Sequence, residues 1–271
     1  MIKADFHMHT SFSVDGAPEA TMDAMANRAV ELGLSEIAFT DHVDYMPDGG
    51  ITNFHIDYKE YIIHFNHIKE KYSNKLRVAL GVEIGVAPHV TKQTREFAAS
   101  YPFEFIIAST HDVQKCELYV KDNEFFRNRS KFQAYSIYFE EILHNVKTNS
   151  FFSVYGHLDY IPRYGIYKDN SLDYDDFKYV IDEILTELVS RGKGLEINTS
   201  GYAYGLNAAH PQTKILKAYK RLGGEIITVG SDAHSPKRIA ADFDKAEDAL
   251  RQADFKAYTV FRDGKPYWID L

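Results

Sequence analysis

Two hydrophobic periods alternate along the whole chain. Short apolar runs of strand length give way repeatedly to longer stretches whose apolar positions fall three and four residues apart. The short runs predict strands over residues 2–8, 36–40, 77–84, 105–109, 152–155, 194–198 and 225–229. Helical texture separates them over 20–32, 58–72, 90–99, 131–148, 174–191 and 212–221, the first closed by Gly33. A last helix over 244–252 precedes two strands, 257–261 and 266–269, joined at Asp263-Gly264, a hairpin signal. Seven strands alternating with helices predict an α/β fold with a helix-covered parallel sheet. An open doubly wound sheet and a closed barrel both fit the pattern. No GxGxxG follows the first strand, so a dinucleotide-binding sheet is unsupported. Without a linker or low-complexity tract, residues 1–271 are expected to form one domain.

Composition narrows the classes. Of the 271 residues, 45% are apolar and 26% charged, enough for a substantial core. No apolar run approaches the ~18 residues of a membrane span. The opening MIKADFHMHT lacks the apolar stretch of a secretory signal, so the expected setting is cytoplasmic, with no membrane partner. Cys116 is the sole cysteine, which excludes a disulfide framework and a cysteine-rich zinc site. The charge sum, 31 − 39 = −8, comes without a basic block. A long nucleic-acid partner is therefore not expected.

The 12 histidines change the picture most. His7 and His9 close the first predicted strand; residues i and i+2 of a strand share a face, so both imidazoles can enter one cavity. His42, Glu83, His111 and His157 end the next strands in turn, and Asp232 and His234 follow the seventh, again i and i+2. Asp15 lies on the first loop. In a barrel, C-terminal strand ends meet at one mouth, where active sites are built. Six histidines and three carboxylates would then converge. Such a cluster repels itself when protonated unless cations bind it. Nitrogen and oxygen donors without thiolates suit zinc, manganese or iron, whereas magnesium prefers oxygen ligands. The other six histidines (His55, His64, His67, His89, His144 and His210) are read mostly as surface residues. Asp5, Asp41 and Asp159 flank ligand histidines and are candidate orienters. Glu196 and Asn198 end the sixth strand as mouth-lining scaffold.

At these residues the chain resembles the PHP (polymerase and histidinol phosphatase) metallohydrolases. The matching motifs are His7-Met8-His9 with Asp15, Thr40-Asp41-His42, Gly81-Val82-Glu83, Ser109-Thr110-His111, Gly156-His157 and Ser231-Asp232-Ala233-His234. The resemblance implies a distorted TIM-like barrel of seven βα units and three divalent ions (zinc, manganese or iron). It implies that His7, His9, Glu83 and Asp232 hold one ion. Glu83 would bridge to a second at His111 and His157, and Asp15, His42 and His234 would hold the third. Within the family the chain looks most like free-standing L-histidinol-phosphate phosphatases of histidine biosynthesis, through 156–164 and 195–201. It departs at Tyr202-Ala203-Tyr204, where that subgroup commonly carries a basic residue.

The implied chemistry is hydrolysis of a small phosphate monoester, releasing inorganic phosphate. A metal-bridging hydroxide would attack phosphorus in line, with Asp232 among its ion ligands and His42 or a nearby acid close to the leaving oxygen. Arg163 is the candidate phosphate clamp, since guanidinium meets phosphate in a planar fork. Glu117 and Tyr119, on the loop after His111 with Asp112, are candidates for the substrate's ammonium end. Other readings stay open: a PHP nucleotide phosphatase, phosphodiesterase or nuclease sharing every ligand, a barrel amidohydrolase, and a metal-binding module without turnover. No lysine precedes His111 in its strand, which counts against a lysine-bridged amidohydrolase.

Overall fold

β-branched and aromatic runs bounded by polar turns produce the strands in the order read from the pattern. The computed structural model describes residues 1–45, 56–120 and 124–271. Its strands and helices run β1 (Ala4–Asp5), α1 (Met22–Glu31), β2 (Glu36–Phe39), β3 (His42–Val43), α2 (Tyr58–Tyr72), β4 (Arg77–Gly85), α3 (Thr91–Ala98), β5 (Phe105–Ser109), β6 (Asp112–Val113) and β7 (Cys116–Glu117). There follow α4 (Lys131–Thr148), β8 (Val154–Tyr155), α5 (Lys178–Ser190), β9 (Gly194–Asn198), α6 (Ser200–Ala203), α7 (Thr213–Arg221), β10 (Ile227–Gly230), α8 (Phe243–Gln252), β11 (Ala257–Arg262) and β12 (Lys265–Asp270). Local chemistry sets the ends. Thr21 caps α1, and Gly33 (φ 72°) ends its last turn, while Ser130 and Gln133 form a capping box on α4.

The main sheet is parallel, in the order β1-β2-β4-β5-β8-β9-β10. It closes on itself: Phe6 N donates to Val229 O (2.9 Å) and Asp232 N to His7 O (2.8 Å), and Met8 bridges Ala233. This is the expected α/β barrel of seven strands. β3 continues β2 after a break at Thr40-Asp41, pairing with the second half of the long β4. Strands covered on both sides are mostly apolar, and β2, β5, β9 and β10 are buried throughout, with polar residues such as Glu196 and Asn198 toward the mouth.

Three features differ from the pattern reading. The first strand has ladder geometry only at Ala4–Asp5, because beyond it the chain bends to meet β10. The expected helix over 174–191 begins as a 3₁₀ turn, Tyr174–Phe177, and the one over 90–99 follows another, Pro88–Val90. The small β6–β7 hairpin was too short to show a period. At the opposite end β11 and β12 pair antiparallel and pack below the barrel, with Phe261 against Phe105 (ring centroids 5.2 Å).

Candidate metal centre

The C-terminal strand ends bring all nine predicted donors together. β1 runs out into His7 and His9, β3 starts with His42, β4 carries Glu83, and His111 and His157 follow β5 and β8. Asp232 and His234 follow β10, and the first loop supplies Asp15. Asp232 sits at φ 53°, a left-handed conformation that aspartate tolerates better than most residues. Gly230 before it is required: a Cβ there would stand 2.4 Å from the His7 Cβ and from Glu196 Oε1.

Distances within the cluster fit metal coordination. His7 Nε2 lies 3.1 Å from His9 Nε2, 3.3 Å from Glu83 Oε2 and 3.7 Å from Asp232 Oδ1. His9 Nε2 is 3.5 Å from Glu83 Oε2 and 3.3 Å from Asp232 Oδ1. Donors about 2.0–2.2 Å from a tetrahedral ion stand roughly 3.3–3.6 Å apart, so this quartet has the spacing of one shell. The other Glu83 oxygen, Oε1, faces His111 Nε2 (3.2 Å) and His157 Nε2 (2.9 Å) and accepts from Ser109 Oγ (2.6 Å). Asp15 Oδ2 faces His42 Nε2 (3.3 Å) and His234 Nε2 (2.9 Å). His42 Nδ1 is 3.0 Å from Glu83 Oε2, so the three groupings run into one another. The donor atoms also cluster as His9-Asp15-His42-His234, His7-His9-Asp232 and His42-Glu83-His111.

Partners behind the imidazoles aim them. His7 Nδ1 meets Glu196 Oε1 at 2.6 Å, which turns Nε2 toward the cluster. The second Glu196 oxygen accepts from His157 N (2.9 Å). Asp44 does for His111 what Glu196 does for His7, at 2.9 Å from Nδ1. The charges are set by neighbours as much as by burial. Burial pushes Glu83 and Asp232 up, but the surrounding imidazoles outweigh it and hold both well below the usual carboxylate range. Burial, with His42 and His234 adjacent, pushes His9 down to about 3, so this imidazole is neutral and able to donate its lone pair.

The pocket over this cluster is lined by Asp15, Asp44, Glu83, Asp112, Glu117 and Asp232 on the acidic side. Arg163 is the one lysine or arginine among its described lining residues. Its side chain is 5% exposed and its buried Nε has no protein acceptor. A pocket so acidic attracts a phosphate dianion only if divalent cations offset its carboxylates. The donor set and its spacing fit such ions. Glu117 and Tyr119 line the same pocket, where burial and Glu117 together raise the Tyr119 hydroxyl's pKa.

Several expectations need amendment. Asp5, Asp41 and Asp159 orient no ligand imidazole. Asp5 binds Ser231 N and Oγ and Ala240 N, Asp41 anchors Thr10 and Ser13, and Asp159 pairs with His210 (2.6 Å). Asp5 and Asp41 thus fix the loops that carry ligands. His210 is buried, not superficial, and His89 lies 3.3 Å from Asp112. His55 falls outside the described residues. The reading missed Asp44, although its place two residues after His42, just past the short β3, is the same i, i+2 signal. It also missed the ring stacking of Tyr160 on His157 (4.5 Å).

Comparison with known proteins agrees with this geometry. The PHP domain model matches residues 5–200. A histidinol-phosphatase of Lactococcus lactis is 32% identical over 96% of this chain and 95% of its own length. The crystal structure of the histidinol phosphate phosphatase from that organism, complexed with zinc, L-histidinol and phosphate, superposes with a TM-score of 0.86 over 98% of both chains. A Listeria monocytogenes structure, 22% identical, has the same fold at a TM-score of 0.77 over 90% of this chain and 99% of that one. Family model, relatives and donor cluster converge: the chain belongs to the PHP domain family, alongside its histidinol-phosphatases.

Proposed function

We propose that this chain hydrolyses L-histidinol phosphate to L-histidinol and phosphate, a step of histidine biosynthesis, using three divalent ions of zinc, manganese or iron. The observation that carries the reading is the nine-donor cluster beneath an acidic pocket whose described wall carries Arg163 as its permanent cation.

Phosphate-monoester dianions repel nucleophiles and react very slowly unaided. Bound divalent ions supply positive charge against the phosphoryl oxygens and a water acidic enough to attack near neutral pH. The protein's side chains do the rest. His7, His9, Glu83 and Asp232 are assigned to one ion, Glu83 with His111 and His157 to a second, and Asp15, His42 and His234 to a third. Glu196 and Asp44 hold His7 and His111 with their Nε2 atoms turned inward, where a bound ion would displace the Nε2 proton. Arg163, which lines the pocket, is assigned to a phosphoryl oxygen through its guanidinium. His42 and Asp232 face the pocket beside it, and His42 is assigned to the departing oxygen. Glu117 and Tyr119, farther along the wall, are assigned to the ammonium end of the substrate. Residues 1–271 are taken as one catalytic unit, supported by a single buried cluster running from Ile2 to Phe261. The reading carries a cytoplasmic setting with it, and no described helix is long and apolar enough to cross a membrane.

Purified protein loaded with manganese or zinc is expected to release phosphate from L-histidinol phosphate at least tenfold faster, by kcat/KM, than from nucleoside monophosphates. Equal or reversed preference overturns the substrate assignment. A second reading, a phosphatase or phosphodiesterase for another ester, is favoured by Tyr202-Ala203-Tyr204 in place of a basic residue; the same substrate panel decides it.

A further inference from the structure

Arg163 is held by one turn of helix. α6 places Ser200 and Tyr204 four residues apart, on the same side of the turn, with Tyr204 N donating to Ser200 O (3.2 Å). Both touch the same guanidinium. Nη2 donates to Ser200 Oγ at 2.5 Å, and the Arg163 Cζ lies 3.7 Å from the Tyr204 ring centroid. A second ring, Tyr160, stands 4.7 Å away and is itself fixed by a 2.9 Å contact between its hydroxyl and that of Tyr164.

Competition makes this grip matter. Asp232 Oδ2 is 4.0 Å from Arg163 Nη2, and Ser200 Oγ, which accepts from that Nη2, lies 3.1 Å from the same carboxylate oxygen. A guanidinium drawn into a full ion pair with Asp232 would lose the charge and the donors that a phosphoryl group needs. A ring face attracts a cation without neutralising it and without taking any of its N–H groups. Tyr204 also remains 57% exposed, so its side chain can be changed without opening the core.

We propose that Tyr204 is a positioning residue: its ring face holds the Arg163 guanidinium in the pocket against the pull of Asp232, while Ser200 Oγ stands between Nη2 and Asp232 Oδ2. This rests on the reading of Arg163 as phosphate clamp. It also accounts for the tyrosine-containing segment, since here one guanidinium is braced by a ring.

The test uses the metal-loaded full chain, with inorganic phosphate as competitive inhibitor and metal content measured alongside. Tyr204→Leu is expected to weaken phosphate inhibition roughly 5- to 30-fold, raising KM more than it lowers kcat, with bound metal unchanged. Tyr204→Phe, which keeps the ring face, should recover most of that loss. In an Arg163→Ala background, Tyr204→Leu should add nothing. The inference is overturned if Tyr204→Leu is harmless, if Phe is as damaging as Leu, or if the loss persists undiminished in the Arg163→Ala background. Phosphate is the product of any monoester, so a wild-type preference for another ester would overturn the histidinol assignment alone. Unweakened phosphate inhibition in Arg163→Ala would overturn the clamp and this inference together.

Discussion

The two ends of the barrel bury carboxylates in opposite ways. At the floor, Glu36 and Glu104 each have a guanidinium of their own. Arg262 pairs with Glu36, and Arg77 Nη2 donates to Glu104 Oε2 (2.5 Å), with Lys69 Nζ 3.1 Å from the other oxygen. At the mouth, six carboxylates line a pocket with Arg163 as the permanent cation among the described residues, and imidazoles fill the gaps between them. Each of these floor carboxylates already has a permanent cation beside it. The mouth has many more carboxylates than permanent cations, a balance that bound divalent ions would restore. The difference separates an end that stabilises from an end that reacts, as in other barrels.

The sharpest way to break the comparison is to remove a donor from the mouth. Asp232→Asn keeps the shape but removes a charge from the quartet with His7, His9 and Glu83. Its kcat/KM is expected to fall by at least about 10³-fold, the scale of losing one side of a preorganised charge cluster. Metal content per chain should fall while far-UV circular dichroism stays native. Chelation should abolish turnover of the wild type, and manganese or zinc should restore it. Activity surviving both treatments would place catalysis outside this cluster.

Next in size is Arg163→Ala. One charge-assisted contact is worth roughly 1.5–3 kcal/mol, so KM for L-histidinol phosphate should rise about 10- to 100-fold with metal content unchanged. Arg163→Lys should recover little, because an ammonium cannot fill a planar site between two rings. Glu117→Gln should act more weakly, raising KM about three- to tenfold for substrates bearing an ammonium and leaving p-nitrophenyl phosphate untouched. Equal effects on both substrates would remove Glu117 from substrate recognition.

Much of the mouth was legible in the sequence because strand geometry is simple. Residues two apart share a face, and ends of parallel strands meet at one rim, so His7 with His9 and Asp232 with His234 announced themselves. The partners that aim those imidazoles were harder to see. Glu196 reaches His7 across 189 positions of sequence, and no local period encodes a contact between β9 and the end of β1. Asp41 looks like an orienter by adjacency to His42, yet neighbouring strand residues face opposite ways; Asp5 stands two before His7, but it and Asp41 both bind backbone and hydroxyls instead. The floor was invisible for the same reason: Glu36, Arg77, Glu104 and Arg262 lie on four strands or their edges, in segments that read as ordinary strand starts and ends.

The smallest expected effect on catalysis belongs to that floor, and it sharpens the comparison most. Glu104→Gln should leave kcat and KM within experimental error while lowering unfolding free energy by about 1–3 kcal/mol, since Arg77 and Lys69 would lose their carboxylate. Burial raises the Glu104 pKa, but Arg77, the Asp263 N–H and Lys69 outweigh it and set the folded value below the usual glutamate range. Between the folded and unfolded pKa values, the unfolded chain binds a proton that the folded chain does not. Stability therefore rises with pH across that window. The contribution is complete above about pH 4.5 and is lost as pH falls through the folded value. Urea midpoints of metal-free wild type and Glu104→Gln should thus differ fully at pH 7 and at pH 5.5, and the gap should narrow below pH 4.5. A gap independent of pH would mean that Glu104 acts through packing. A drop in kcat would mean that the two ends of the barrel are coupled and that balanced and recruiting charges do not divide stability from reaction.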